Sequence, residues 1–312
     1  MTESNPFLKN IRESAGFRLA ILFGSFFVLM LVSSILSMAI NGSGVGSERT
    51  HGLLSSIIQC LLAFCVPAFL LAKFSSHKWA DWLYLTKMPP LKALLGVAIV
   101  FVISMPAMEW LIEFNNNLHL PESLKGLEET MRGWEENSEQ YTKVLLESQG
   151  VLSTLAGVLV IGLLTGFSEE MFFRGGFQGI MTRTTMQAAT AVWISAFLFS
   201  FMHFQFFGFL PRLLMGAFFG YLLVWTKSIW VPVFAHALNN SAVVIGAAIT
   251  GDASGSLIDS ETSSAVLGSN LTVIGSVIFT ILFLWFCRDN LFKSNNTDNR
   301  WQKSQLPPVS ES

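Results

Sequence analysis

Long apolar segments dominate this chain and restrict it to folds that bury them in a lipid bilayer. A helix crosses the hydrocarbon core with about 17 to 25 consecutive, predominantly apolar residues. Eight segments meet this requirement, at residues 17–40, 53–74, 93–112, 151–173, 186–204, 209–225, 230–249 and 271–287. Because backbone polar groups in lipid have to be hydrogen-bonded within the segment, such spans form α-helices. The sequence therefore predicts an all-α fold, a polytopic membrane helix bundle of about eight transmembrane helices.

The composition agrees with a membrane protein and argues against other classes. Hydrophobic residues make up 52% of the chain and charged residues 13%, whereas soluble domains carry about 25% charged residues. The net charge is −2, and no basic patch interleaved with aromatic residues indicates a nucleic-acid partner. Cys60, Cys65 and Cys287 lie in predicted spans. A thiol there is a small apolar packing residue, so we expect neither disulfides nor thiol chemistry.

The distribution of lysine and arginine predicts the orientation, because cytoplasmic flanks of membrane spans are enriched in both. With both termini in the cytoplasm, only five of the 19 basic residues face outwards: Arg49, Lys125, Arg132, Lys143 and Arg212. The first span is too long for a removable signal peptide and lacks a small-residue cleavage site, so we expect a signal anchor. The prediction is an integral, multi-pass protein of the plasma membrane, which is the inner membrane in a bacterium.

The regions outside the spans are few. We expect a single membrane domain over 1–312, with a core at 150–249, an extramembrane insert at 115–150 and a polar cytoplasmic tail at 288–312. Within the insert, apolar residues recur at helical spacing at Leu124, Leu127, Met131 and Trp134. This pattern predicts an amphipathic helix on the outer membrane surface. A solvated spacer is the simpler alternative.

One cluster of ionisable residues stands inside an apolar segment. Glu169, Glu170 and Arg174 lie within seven residues that follow the apolar stretch 151–167. Each ionisable side chain at bilayer depth costs at least about 2.5 kcal/mol. Glu170 and Arg174 share a helix face as an i,i+4 pair, whereas Glu169 points about 100 degrees away and is free to act as a general base. Alternatively, both glutamates sit at a cytoplasmic helix end and neutralise Arg174.

Two histidines are also embedded in predicted spans. His203 follows Phe199 by one helical turn in the fifth span, and His236 precedes Asn240 by one turn in the seventh. A lone membrane histidine is often a hydrogen-bonded core residue or an interface anchor. The other three histidines, His51, His77 and His119, lie in predicted loops. The embedded pair therefore becomes a candidate to meet the glutamates of the fourth span.

Taken in order, these motifs resemble a known family. The pattern is Glu169-Glu170-x-x-x-Arg174, then Phe199-x-x-x-His203, then His236-x-x-x-Asn240 on successive hydrophobic helices. It resembles the CAAX prenyl protease and bacteriocin-processing family, also called the type II CAAX endopeptidases, over about 150–249. The resemblance implies an intramembrane peptide-bond hydrolase in which Glu169 activates water with His203. It further implies that His236 and Asn240 polarise the scissile carbonyl, while Glu170 and Arg174 hold the geometry.

Metal dependence stays open at this point. Glu169, His203 and His236 could serve as three zinc ligands, with water in the fourth position. However, no His-Glu-x-x-His motif is present, and the resemblance also permits a metal-free glutamate mechanism. We expect no cofactor, with zinc as the alternative.

Other functional classes are alternatives to a glutamate-dependent protease. A rhomboid-like serine protease would pair Ser168 with His236, but Glu169 replaces the small residue expected beside such a serine. A transporter or channel also places ionisable residues in a polar pathway, and a non-catalytic scaffold or immunity protein could retain them. The sequence contains no inverted repeat of the transporter type. The motifs Gly162-x-x-x-Gly166 and Gly216-x-x-x-Gly220 more simply predict close helix packing.

The depth of the site and its substrate class are the last expectations. Counting 1.5 Å per residue from the helix ends places Glu169, His203 and His236 in the cytoplasmic half of the bilayer. This requires the hairpin of the fourth and fifth helices to project about 10 Å into the cytoplasm. We expect a membrane-associated peptide or protein substrate. Its identity, as a prenylated C-terminal Cys-a-a-X sequence, a bacteriocin leader or a signalling peptide, is not encoded in the motifs.

Overall fold

Apolar helices at the predicted spans form the molecule. The computed structural model describes residues 14–293, apart from 43, 45, 149, 185 and 252–269. Its longer helices are, in chain order, α1 (Ala15–Asn41), α2 (Glu48–Ser75), α3 (Leu91–Asn116), α4 (Lys125–Leu146), α5 (Val151–Thr184), α6 (Ala188–Phe201), α7 (Phe206–Thr226), α8 (Trp230–Thr250) and α9 (Asn270–Asn290). No strand occurs in the described part of the chain. The predicted all-α membrane bundle is confirmed.

The helix count agrees with the prediction except at the fifth span. Seven of the described helices, all except α4 and α6, are long and apolar enough to cross a membrane. Helix α6 has only 14 residues, which corresponds to about 21 Å. The segment predicted at 186–204 is therefore too short as a helix to span a bilayer. Its last residues, including His203, form a loop before α7.

Small residues set the register between α5 and α8. A side-chain carbon placed on Gly166 would lie 3.0 Å from the backbone nitrogen of Ala237, and Gly162 faces Ser241 in the same way. These glycines let the two backbones approach closely, as the sequence motif predicted. The resulting antiparallel register places His236 beside the two glutamates of α5.

Helices α5 and α7 are joined by side chains that bond to backbone carbonyls. Arg174 Nη2 donates to the carbonyl of Gly216 at 2.9 Å, and Gln178 Nε2 donates to that of Gly220 at 3.1 Å. Gly216 also packs against Ala196 of α6, at 3.2 Å from a side-chain carbon placed on the glycine. The second glycine motif therefore gives Arg174 access to a backbone oxygen.

Two stretches of α5 have the wider π-helical winding, Val158–Leu164 and Met171–Gln178. Such winding changes the backbone hydrogen bonds of the helix from the i→i+4 to the i→i+5 pattern and is often found at functional sites. Side chains of other helices bond to carbonyls of these stretches. Asn240 Nδ2 donates to Ile161 O at 3.2 Å, and Ser195 Oγ donates to Phe173 O at 3.2 Å. The π stretches thus flank Glu169 and Glu170 and anchor α5 to α6 and α8.

Different segments cover the two ends of the bundle. The connection 76–90, between α2 and α3, receives hydrogen bonds from Ile229 N to Tyr84 O at 3.2 Å and from Arg183 Nη2 to Trp82 O at 2.6 Å. At the other end of α3, helix α4 packs on the start of α2, where Arg49 Nε donates to Leu145 O at 2.9 Å. The acidic segment 252–261 and most of the predicted tail 288–312 lie outside the described residues.

The insert contains the predicted helix. Helix α4 covers Lys125–Leu146, and its residues Leu127 and Trp134 are about half exposed, at 50% and 47%. Met131 is more enclosed. The apolar face predicted from the spacing therefore stays largely uncovered by the rest of the chain. Its position on a membrane surface remains a prediction.

Candidate active site

A buried ion pair and a histidine form the centre of the site. Arg174 Nη1 donates to Glu170 Oε1 at 2.9 Å, and neither side chain is exposed. The same oxygen lies 2.9 Å from Nδ1 of His236. Because a carboxylate paired with a guanidinium only accepts hydrogen bonds, Nδ1 of His236 carries the hydrogen of this contact. Glu170 thereby fixes the ring orientation of His236 and leaves its Nε2 turned towards Glu169.

Glu169 differs from its neighbour in having an unsatisfied oxygen. Its Oε2 lies 3.8 Å from Nε2 of His236, which is too long for a hydrogen bond. This buried oxygen accepts no hydrogen bond from the described residues. Among the residues that the structure describes, Glu170 Oε2 is without a partner as well, but Oε1 of Glu170 binds two donors. Both free oxygens are open to a further donor, since buried polar atoms are normally paired, and that of Glu169 is the one that lies near Nε2 of His236.

His203 reaches the site from the loop between α6 and α7. Its Nδ1 lies 2.7 Å from the carbonyl oxygen of Phe199. A carbonyl only accepts, so Nδ1 carries hydrogen and the neutral ring keeps a free lone pair on Nε2. His203 lies within Coulombic range of Glu169 and of Arg212. The structure therefore brings the second predicted histidine into the same polar region, in a tautomer suited to accept a proton.

Two phenylalanines enclose the charged centre. The ring of His236 stacks on that of Phe219 with centroids 5.0 Å apart and an angle of 20°. The guanidinium of Arg174 lies 4.6 Å from the centroid of Phe199 and 5.4 Å from that of Phe219. These cation–π contacts offset part of the desolvation of Arg174. The sequence motif contained Phe199, but Phe219 was not predicted, because one phenylalanine among 28 carries no distinguishing signal.

Asn240 contacts α5 rather than the glutamates. Its Nδ2 donates to Ile161 O at 3.2 Å, and its Oδ1 accepts from Nδ2 of Asn239 at 3.2 Å. It lies one helical turn from His236, as predicted. The amide is therefore placed to hold α8 on the first π stretch, and its implied role towards a scissile carbonyl stays a prediction.

Gln205 and Arg212 form a further polar pair beside His203. Arg212 Nη1 donates to Gln205 O at 2.8 Å, and its Nη2 donates to Gln205 Oε1 at 2.7 Å. No carboxylate lies within ion-pair distance of Arg212 among the described residues. From the helix lengths, Arg212 and Gln205 are expected to line the floor of the cavity; their contact with one another depends on the loop conformation.

The serine-protease and zinc alternatives can both be compared with the geometry. Ser168 is fully buried and donates its hydroxyl to Thr165 O of its own helix at 3.0 Å, so its hydroxyl hydrogen is committed to its own helix. Across the described residues, no group of three or more His, Cys, Asp or Glu side chains is placed to hold a metal ion. Glu169 and His236 approach one another, but the zinc set of Glu169, His203 and His236 is not assembled.

Comparison with known proteins identifies the same region. The sequence model of the family described as type II CAAX prenyl endopeptidase Rce1-like matches residues 151–242. This match contains all six predicted site residues: Glu169, Glu170, Arg174, His203, His236 and Asn240. No curated protein and no solved structure matches the chain. The resemblance is therefore confirmed for residues 151–242, which are similar to the type II CAAX prenyl endopeptidase family, in a chain that is an integral multi-pass membrane protein.

Proposed function

We propose that the protein hydrolyses a peptide bond of a membrane-associated substrate, with Glu169 as the general base. One observation carries this assignment: Glu169 Oε2 is buried, has no described hydrogen-bond donor and faces Nε2 of His236 at 3.8 Å. Glu170 is unsuited to the same role, because Arg174 and His236 both occupy its Oε1.

In the proposed reaction, a water molecule lies between Glu169 and Nε2 of His203. Glu169 takes a proton from the water, and the oxygen of that water attacks the scissile carbonyl carbon. Glu169 then returns the proton to the amide nitrogen as the carbon–nitrogen bond breaks. General base catalysis of this kind contributes about 10² to 10⁴ in rate. His203 serves as a second acceptor for the water, because its Nδ1 is committed to Phe199 O.

The oxyanion that forms in this step needs hydrogen-bond donors. We assign this role to His236 and Asn240, each donor being worth about 3 to 4 kcal/mol in comparable enzymes. His236 can donate from Nε2 while Nδ1 bonds to Glu170 only if both ring nitrogens carry hydrogen. The mechanism therefore uses His236 as a cation flanked by Glu169 and Glu170.

We also propose that the site lies in the cytoplasmic half of the bilayer, with both termini in the cytoplasm and substrate entry from that side. His236 lies six residues beyond Trp230, or about 9 Å along α8, and the adjoining connections hold Lys78, Lys87 and Lys227. His203 approaches from the other end of the bundle. On α8, the site would thus be close to the lysine-rich end of the bundle, whereas on the side of α6 it would be farther from that end.

No step of this mechanism uses a metal ion. The described His, Cys, Asp and Glu side chains do not form a three-ligand set. We therefore propose a metal-free reaction.

The Glu169→Gln variant tests the base. The amide preserves the shape of the side chain but cannot take the proton, so turnover should fall by about 10²-fold or more while the protein still inserts and folds. Membrane peptides that accumulate in cells expressing this variant would identify the substrate. Glu129→Gln, the same change at an exposed position of α4, is the matched control. Turnover close to that of the unmodified protein in Glu169→Gln would refute the assignment.

Thiol labelling tests the orientation. Single cysteines at Thr184 and at Glu136, both exposed, are introduced into a protein that lacks Cys60, Cys65 and Cys287. An impermeant reagent should label them from opposite sides of the membrane, with Thr184→Cys reacting from the cytoplasm. Labelling of Thr184→Cys from outside would reverse the orientation and exclude a cytoplasmic substrate.

A further inference from the structure

The loop that carries His203 contains a conformation that the chain does not favour locally. Residues 202–205 connect α6 to α7, and together with the 3₁₀ turn Phe206–Gly208 that opens α7 they form the loop 202–208, in which Phe204 has a φ angle of +53°. For a bulky side chain this left-handed conformation is rare and persists only when surrounding contacts enforce it. Because Phe204 directly follows His203, whatever enforces this conformation also sets the direction of the histidine.

Helix α4 of the insert supplies two hydrogen bonds to this loop. The backbone nitrogen of Phe207 donates to Glu135 Oε2 at 2.9 Å, and Gln205 Nε2 donates to Ser138 Oγ at 2.7 Å. In addition, the guanidinium of Arg132 lies 3.8 Å from the centroid of the Phe207 ring. Three residues on one face of α4 therefore contact Gln205 and Phe207 of the loop.

The bundle holds the same loop from the opposite side. Arg212 of α7 binds both the backbone oxygen and the side-chain oxygen of Gln205. Asn115 of α3 binds Phe206 O at 3.2 Å and accepts from Leu210 N at 2.7 Å. Gln205, two residues after His203, is consequently fixed between Arg212 of α7 and Ser138 of α4. The contacts from Glu135 and Ser138 are those that depend on the insert.

We propose that helix α4 is a positioning element of the active site, in which Glu135 and Ser138 hold the loop 202–208 so that Nε2 of His203 faces the water at Glu169. This inference rests on the proposed function for its catalytic consequence. Neither residue touches the reacting atoms. Their effect passes through Phe207 and Gln205 to His203, and misplacement of a catalytic group by about 1 Å costs up to about a hundredfold in rate.

A set of α4 variants tests the proposal in the full-length protein. Glu135→Ala removes the acceptor for Phe207 N, and we expect kcat to fall about ten- to a hundredfold with little change in KM. Glu135→Gln keeps an oxygen at the same place and should restore most of the activity. Ser138→Ala should have a smaller effect, because Arg212 still holds Gln205, and Ser138→Thr should be active. Glu136→Ala, an exposed neighbour on α4, is the matched control and should behave as the unmodified protein.

Hydrogen–deuterium exchange provides a second measurement that does not require a substrate. Glu135→Ala should increase exchange at 203–207, with unchanged exchange in the centres of α5 and α8. Unchanged exchange at the loop, a loss of kcat equal to that of Glu136→Ala, or an effect on KM alone would overturn the proposal. If the unmodified protein shows no turnover and Glu169→Gln changes nothing, the proposed function fails. The loop exchange then still decides whether α4 holds the loop.

Discussion

Two clusters in this molecule have the same composition and nearly the same geometry, but different surroundings. Their members are Glu170, Arg174 and His236 in the buried cluster, and Glu128, Arg132 and His119 in the surface cluster. In each, a glutamate and an arginine at i,i+4 are 2.9 Å apart, and a histidine Nδ1 lies 2.9 Å from the same glutamate oxygen. The histidine side chain is 5% exposed in the buried cluster and 75% exposed in the surface cluster.

Because they differ in exposure, the two clusters have different roles. In the surface cluster, Glu128 also accepts from Leu120 N at 2.7 Å, and Arg132 donates to Leu118 O at 3.0 Å. These bonds fasten the start of α4 to the chain before it. Water screens the charges there, so the ion pair itself contributes little. In the buried cluster water is excluded, and each charge depends on its partners. The spacing Glu-x-x-x-Arg therefore indicates a site only when its flanks are apolar.

Replacing the glutamate of each cluster with glutamine gives the largest expected difference in stability between the two clusters. Glu170→Gln leaves the buried charge of Arg174 without its counter-ion, which costs about 3 to 5 kcal/mol of stability. Activity should also fall in part, because His236 loses the acceptor that orients it. Glu128→Gln is the matched change in the surface cluster and should leave the unfolding midpoint of the bundle unchanged. Unfolding in detergent and turnover are measured on both variants.

A result with equal stability losses in both variants would remove the distinction between the clusters. A purely catalytic loss in Glu170→Gln, equal to that of Glu169→Gln and without loss of stability, would instead show that the two glutamates share one role.

The sequence predicted the members of the buried cluster but not all of its contacts. Apolar length gave the spans, and the i,i+4 rule gave the Glu170–Arg174 pair. The partner of His236 Nδ1 was not foreseen, because the π stretch Met171–Gln178 changes the winding beside Glu170, and a hydrophobic pattern does not encode backbone hydrogen-bond register. The contacts of Glu135 and Ser138 with the loop of His203 cross 72 and 67 residues of sequence. Local spacing carries no information about such contacts.

The pH response of the surface cluster is a smaller and local effect. The backbone amide of Leu120, together with His119 and Arg132, lowers the pKa of Glu128 from 4.5 to about 2. A carboxyl whose pKa is lower in the folded state stabilises the fold above its ordinary pKa, and this contribution is lost as the pH falls towards the folded value. The protection of the Leu120 amide should therefore decline between about pH 4.5 and pH 2.

Hydrogen exchange at Leu120, corrected for intrinsic exchange at each pH, measures this decline. In Glu128→Gln the protection should be weaker and independent of pH in the same interval. The unfolding midpoint of the bundle at neutral pH serves as the control and should be the same in both proteins. Protection that is already lost at pH 4.5 would show that Leu120 and Arg132 do not hold the carboxylate of Glu128 in solution.

Removal of metal ions is the change for which we expect the smallest effect. The purified protein should keep its turnover after exhaustive chelation and contain well below one equivalent of zinc. Glu169 and His236 supply two donors, but three protein ligands at about 2.0 to 2.2 Å are usual for catalytic zinc, and no third donor accompanies them in the described residues. The surface cluster supplies the control, because Glu128→Gln removes a histidine–glutamate pair that could hold zinc adventitiously. Suppose that chelation removes stoichiometric zinc and activity together, from the unmodified protein and from Glu128→Gln alike, and that both return on adding metal. Then Glu169, His203 and His236 are ligands. The buried cluster would in that case orient a ligand, His236, through Glu170, as outer-shell carboxylates do in metalloenzymes.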